Sequence, residues 1–354
     1  MSLLERLRAD IRANGPLSVA DYMQRCLHDS RHGYYATRPS IGADGDFITS
    51  PMVSQMFGEL LGLWCLEVWV RLGRPPSIIL AEVGPGDGTL MSDVLRAARA
   101  IPEFLPAAEI WLIDPSGPLQ KLQRSKLADC GVDLNWASDL SELPEDRPVI
   151  LLANEILDCL PGRQFVRVGD AWVERLIGLD DRGKLVFGLA PHEGNQVPDA
   201  DAPILEISSA QEAFGESLGA RVARSGGAAL LIDYGRAEPE FGDTLQALLR
   251  HTRIDPLAAP GQSDLTMHAD FPLVANAARS VGALASPILP QGAFLGRLGI
   301  QTRADTLTAL RPDRAQVIER QLKRLVAPDE MGELFKVLCL HQEGLEPPGF
   351  EADA

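Results

Sequence analysis

The stretch Ile78-Ile79-Leu80-Ala81-Glu82-Val83-Gly84-Pro85-Gly86-Asp87-Gly88-Thr89-Leu90 constrains the fold more than any other. A short apolar run rich in β-branched residues ends in an acid, glycines follow at alternate positions, and Leu90-Met91-Ser92-Asp93-Val94-Leu95 resumes helical spacing. The pattern predicts a strand, a tight turn and a helix. Glycine lets such a turn adopt backbone conformations closed to other residues and brings the main chain close to a ligand. The helix start then presents unpaired amide donors to it.

Two ligand classes use a turn of this kind. Dinucleotide enzymes space their glycines GxGxxG, because a pyrophosphate sits on the helix N-terminus. Here the spacing is Glu82-x-Gly84-x-Gly86-x-Gly88. An acid two residues ahead of GxGxG suits S-adenosylmethionine, which carries no phosphate but has an ammonium, a carboxylate and a sulfonium. A structural loop without a ligand is the competing reading, so the rest of the chain must decide.

A chain of 354 residues has room for one elaborated domain or two. No apolar run approaches the roughly 20 residues that cross a bilayer, and Met1 to Asp10 lack the apolar core of a signal peptide, so the cytoplasm is the expected compartment. The net charge of −16 opposes attraction to nucleic acid or anionic membrane. Cys26, Cys65, Cys130, Cys159 and Cys339 form no CxxC pair and read as free thiols. His28 and His32 are four apart, but no further ligands stand near them, and no metal is expected.

Residues 1 to 76 read as a mostly helical extension. Ser18 is placed to cap a helix, and Gln55 to Leu72 form an apolar helix that stops at Gly73-Arg74-Pro75-Pro76. Between them, Asp29 to Tyr35 and Gly42 to Pro51 are rich in glycine and aromatics, as a loop folded over a ligand would be. From Ser77 onward strands and helices alternate. Glu109 to Asp114 is a second strand ending in an acid, roughly 28 residues past the glycines and suited to two ribose hydroxyls. Leu134 to Asp139, Pro148 to Ala153 and Gly227 to Asp233 follow as further strands. Such βα units imply a parallel sheet with right-handed crossovers and ligands beyond the carboxyl ends of the strands. Gln164 to Val168 and Ala171 to Leu176 interrupt the pattern as a β-hairpin, with Lys184 to Phe187 as a further strand, while 240 to 330 reads as loops and helices before a last strand at Leu334 to Leu340.

These motifs together resemble the MidA-like family of class I S-adenosylmethionine-dependent methyltransferases, whose mitochondrial members are protein arginine methyltransferases that help assemble respiratory complex I. The resemblance rests on Asp29 to Tyr35, Gly45 to Pro51, Ser54 to Glu59, Glu82 to Gly88, Asn154 to Pro161, Asp233-Tyr234-Gly235 and Asp264 to Phe271, in that order. It implies an α/β fold: a Rossmann-like sheet with a helical N-terminal extension over 1–76, and a methyltransferase domain over 77–354 with insertions at about 162–205 and 240–330, the first a β-hairpin and the second helical. It implies S-adenosylmethionine as cofactor, with contacts at Glu82, Gly84, Gly86 and Asp114, and with Thr49, Ser50 and Gln55 closing the pocket. It also implies a protein partner, a complex I subunit. Asp114 stands where the family usually has a longer glutamate, and Cys159 where alanine is common.

An arginine guanidinium spreads its charge over three nitrogens, has a pKa above about 12 and is a poor nucleophile as it stands. A carboxylate pair that holds it bidentately orients one nitrogen and helps accept its proton. Glu155 and Asp158 follow the fourth strand at the ligand-facing edge, and their i, i+3 spacing can put both on one side of a turn. They are the expected catalytic pair, with Asn154 holding Glu155 or touching the cofactor. Asp233 and Tyr234 are weaker candidates for the substrate rim, and His268 is a candidate base. Two other functions stay open: methylation of a small molecule, and a non-catalytic assembly factor that binds S-adenosylmethionine only for stability.

Overall fold

The structure is a computed structural model that describes residues 1–37, 49–191, 202–239 and 241–351. The Gly42-to-Ile48 part of the expected pocket loop lies outside them. Five parallel strands run inward from one edge of the main sheet, in the spatial order Leu134–Ala137, Ala108–Ile113, Ile78–Val83, Val149–Asn154 and Gly227–Arg236. Phe335–His341 runs antiparallel beside the last of these, pairing Ala228 with His341 and Tyr234 with Phe335. Leu284–Ala285 and Leu289–Pro290 close that edge.

The three central strands are apolar up to their carboxyl ends because both sheet faces are covered. Ile78, Leu80, Ile150, Leu152, Leu230 and Ile232 enter one core, while Ile79, Ala81, Val149, Leu151, Ala229 and Leu231 enter the other. From Ile78–Val83 the chain builds outward through two crossovers, then returns to place Val149–Asn154 on the other side. Neighbouring loops diverge where the strand order reverses, which opens a crevice at the carboxyl ends of these two strands.

The helix Gln55–Arg71 is buried along most of its length. Gly58 and Gly62, one turn apart, let it approach the helix Thr89–Ala98 closely. A Cβ on Gly58 would lie 2.5 Å from Asp93 Cβ, and one on Gly62 would lie 2.8 Å from Ala97 Cβ. At this crossing Glu59 accepts from Arg303 Nε at 2.8 Å and from Arg96 Nη2 at 3.2 Å.

The first 37 residues pack elsewhere. Leu17–Ser18 pairs with Leu176 and Ile177, so the inserted hairpin is part of a five-stranded antiparallel sheet with Arg163–Val168, Ala171–Leu179, Leu185–Pro191 and Ile204–Ile207. Leu7, Tyr22, Met23 and Leu27 share a third core with Ile177, Leu185, Ala247 and Leu265. The stretch read as a single extension over 1–76 is therefore divided, its final helix in the main core and its first helices in this cap. The region expected to hold loops and helices from 240 also contains a three-stranded antiparallel sheet, Gln246–Leu249, Thr252–Ile254 and Asp264–Thr266. Its hairpin turns through Arg250 at φ 51° and His251 at φ 59°. Two positive φ values suit the twist of a two-residue hairpin, but neither residue signals such a turn in the sequence.

Candidate active site

A cavity of about 660 Å³ opens at the carboxyl ends of the parallel strands, large enough for a nucleoside-sized ligand. Thr49, Glu82, Gly84, Gly86, Asp114, Asn154 and Glu155 line it, so the structure brings most of the residues singled out from sequence to one place. Ser50 is buried behind the wall. Gln55 is exposed at the start of its helix and does not line the cavity; Ser54, the residue before it, caps that helix by accepting from the Met56 N–H.

The glycine turn has left-handed backbone at Gly84 (φ 65°), Gly86 (φ 56°) and Gly88 (φ 88°). At Gly84 any side chain would also meet Ile156, whose Cδ1 lies 2.2 Å from the position of a Cβ. Glu82 is buried just before this turn, and its Oε2 has no hydrogen-bond partner. Burial, reinforced by the charges of Asp87 and Asp114, pushes its pKa up to about 8. A buried acceptor without a donor is costly, so this oxygen fits a ligand carrying N–H or O–H groups.

Asp114 ends the second strand. Ser116 N–H donates to its Oδ1 at 2.8 Å and Gln123 Nε2 to its Oδ2 at 2.8 Å. Burial raises its pKa to about 6 against the pull of these two donors. Gln123 escaped the sequence reading. It is fully buried, and its amide also donates to Gly86 O at 3.0 Å while its Oε1 accepts from Trp136 Nε1 at 3.0 Å. One side chain thus ties the glycine turn, the strand-end acid and the next strand together. A lone glutamine in a polar helix carries no sequence signal for that.

On the opposite wall Glu155 is half-buried, with φ at 54°. A left-handed backbone is unfavourable for a residue with a Cβ and concentrates at functional sites. Its N–H donates to Ile232 O at 2.8 Å. Its Oε1 accepts from Ser50 N–H at 2.8 Å and from Asn154 Nδ2 at 3.0 Å. Burial, opposed by these two bonds and reinforced by the Asp158 charge, lifts its pKa to about 7. Asn154 Oδ1 is buried without a partner, a second orphaned acceptor on the cavity wall.

Asp158 is brought near enough to raise the Glu155 pKa, but it is buried and does not line the cavity. The chain after Asn154 is a turn, and it leaves Glu155 on the cavity wall and Asp158 behind it. Asp158 packs toward Asp233 and Tyr234, where burial holds its pKa above the usual range against a hydrogen bond with the Tyr234 side chain. Asp233 is fully buried and forms no substrate rim. His268 packs edge-on against the Tyr234 ring at 5.7 Å and does not line the cavity. His28 does line it, its Nε2 3.2 Å from Cys159 O, whereas His32 pairs with Asp29. Among the described residues no cluster of His, Cys, Asp or Glu could hold a metal ion.

The donor set fits S-adenosylmethionine. Orphaned acceptors at Glu82 and Asn154, the strand-end carboxylate of Asp114 and a turn without side chains at Gly84 and Gly86 meet the ammonium, the hydroxyls and the close approach that this molecule demands.

Comparison with known proteins gives the same answer. Residues 60–288 match the Methyltransf_28 family, described as "Putative S-adenosyl-L-methionine-dependent methyltransferase". The mouse protein arginine methyltransferase NDUFAF7, mitochondrial, is 33% identical over 96% of this chain and 84% of its own length. The zebrafish protein of that name is 34% identical over 95% and 86%. A COG1565 superfamily member from Burkholderia thailandensis, crystallised with S-adenosyl-homocysteine, superposes with a TM-score of 0.86 at 28% identity, covering 99% of this chain and 92% of that one. The chain therefore belongs to the MidA-like family of S-adenosylmethionine-dependent methyltransferases with a class I α/β fold.

Proposed function

We propose that this protein is a protein arginine methyltransferase that modifies a subunit of respiratory complex I and so aids its assembly, with the cytoplasm as its compartment. The observation that carries the reading is Glu155: a cavity-lining carboxylate at the end of the fourth strand, held in left-handed backbone by Ile232 and oriented by Ser50 and Asn154. The names of the relatives support arginine as the acceptor, and the motif resemblance supports complex I.

When bound, S-adenosylmethionine supplies a methyl group on a sulfonium, an electrophile with a neutral leaving group. The protein must hold the acceptor nitrogen in line with that methyl in a water-poor cavity. Glu155 accepts hydrogen bonds from the guanidinium, draws its positive charge toward the carboxylate and leaves one nitrogen facing the methyl. With a pKa of about 7 it is matched to taking the proton near neutral pH. Methyl transfer should accordingly fall along a one-proton limb as pH drops below about 7, because only the ionised carboxylate can act. Asp158, off the cavity wall, contributes through its charge.

The test is transfer of a labelled methyl group into extract from cells lacking the protein. The wild type should label a protein on arginine. Glu155→Gln should lose about 100-fold or more of that rate while binding S-adenosylhomocysteine as before, and Asp158→Asn should lose less. Label confined to a small molecule would refute the protein acceptor. Bound cofactor with no transfer would favour an assembly factor without catalysis.

A further inference from the structure

We propose that Asp233 is a positioning residue for the chemistry at Glu155, its buried carboxylate fastening the turn that keeps Glu155 in left-handed backbone and aimed into the cavity. The inference rests on the reading of Glu155 given above.

Asp233 sits near the carboxyl end of Gly227–Arg236, with none of its surface exposed. Its Oδ2 accepts from Leu157 N–H at 2.8 Å and Asp158 N–H at 3.2 Å, and its Oδ1 from Tyr234 N–H at 2.8 Å. The Glu155 N–H meets Ile232 O, the residue before it on the same strand. Residues 155, 157 and 158 are thus anchored at two successive positions of one rigid strand, with Ile156 spanning between them. On the far side Gln211 Nε2 donates to Leu157 O at 2.9 Å and Met267 N–H to Asp158 O at 2.9 Å.

Three amide donors converge on one carboxylate, and a neutral amide side chain cannot replace it, since its single oxygen leaves one end facing N–H groups with an NH₂. Burial and the neighbouring carboxylates of Asp158 and Glu155 push the Asp233 pKa well up. Ionising this carboxyl costs free energy where it stands, so stability alone does not account for an acid at this position. What the clamp accomplishes is local. A glutamate released from such anchoring relaxes to negative φ, which swings its carboxylate away from the bonds with Ser50 and Asn154.

The test is a double-mutant cycle on methyl transfer, with the same extract at fixed concentration as acceptor and S-adenosylmethionine varied. Asp233→Asn should lower apparent kcat about 30- to 100-fold, as a small misplacement of a reacting group does. KM for the cofactor and affinity for S-adenosylhomocysteine should stay within about threefold. In a Glu155→Gln background the same substitution should cost nothing further, because it acts only through Glu155. An equal loss in both backgrounds, an unchanged rate, or a KM that rises in step with the lost kcat would overturn the proposal. Full activity in Glu155→Gln alone would instead sink the reading of Glu155. If Asp233→Asn does not fold, Gln211→Met, which removes the other side-chain bond to this turn, takes its place under the same criteria. A crystal structure of the variant needs no acceptor: residue 155 should leave left-handed φ, and its retention would refute the clamp.

Discussion

Replacing Gly84 with alanine tests the cofactor turn with one methyl group. Alanine at φ 65° pays about 1–2 kcal/mol for left-handed backbone. The new Cβ would lie 2.2 Å from Ile156 Cδ1 and 2.7 Å from its Cγ1, and pushing that side chain off its rotamer costs about 0.5–1.5 kcal/mol more. The two sum to about 1.5–3.5 kcal/mol. The cost appears either as lost stability, if the turn holds its shape, or as lost cofactor affinity, if it relaxes. Denaturant unfolding and calorimetric titration with S-adenosylhomocysteine, read together, should account for it; taken wholly as affinity it is about 10- to 400-fold. Adding Ile156→Ala removes both clashing atoms and should recover the rotamer part but not the backbone part. A Gly84→Ala protein with unchanged unfolding midpoint and unchanged affinity would refute the argument, and so would failure of Ile156→Ala to restore anything.

Two further substitutions probe the buried acids. Because the Glu82 pKa is raised to about 8, the folded protein keeps a proton there that the unfolded chain has lost above about pH 4.5, so stability falls as pH rises across that window. Glu82→Gln should therefore make the ligand-free protein more stable at pH 8 by more than about 1 kcal/mol, yet weaken S-adenosylhomocysteine binding about tenfold or more; a variant that loses stability at pH 8 would contradict this. Gln123→Leu removes a donor that lowers the Asp114 pKa. The pH at which S-adenosylhomocysteine affinity is lost on acidification should move upward from about 6, and titrations between pH 5 and 8 showing no movement would reject Gln123 as the support of Asp114.

Much of the glycine-turn wall of the cavity was legible in the chain itself. Glu82, Gly84 and Gly86 are local in sequence, and the turn's conformation is dictated by residues that touch each other along the backbone. The apolar runs at 78, 149 and 227, short and bounded by turn residues, announced strands covered on both faces. The cap was legible only in pieces: Leu17–Ser18 pairs with residues near position 176 across more than 150 positions, and two strand residues carry no periodicity. Gln55, expected at the pocket from the family resemblance, is exposed at the start of its helix and off the cavity wall, because a motif match carries residue types and not the direction a side chain takes.

The acceptor side marks the limit most clearly. The i, i+3 spacing of Glu155 and Asp158 placed both carboxylates at the right end of the right strand, and sequence went no further. Whether they point together depends on the turn between them, and that turn is shaped by Ile232 and Asp233, from a strand more than 70 residues away, with Gln211 and Met267 behind it. Gln123 belongs to the same class: it matters because three distant partners converge on one amide. Sequence by itself determined the strand order's building blocks, the glycine turn and the identity of the acids, because those follow from short-range sterics and burial. Only the tertiary structure decided which acid faces the cavity, which is clamped behind it and which amide holds the strand-end carboxylate of Asp114, because hydrogen bonds between distant segments exist only once the sheet has brought them together.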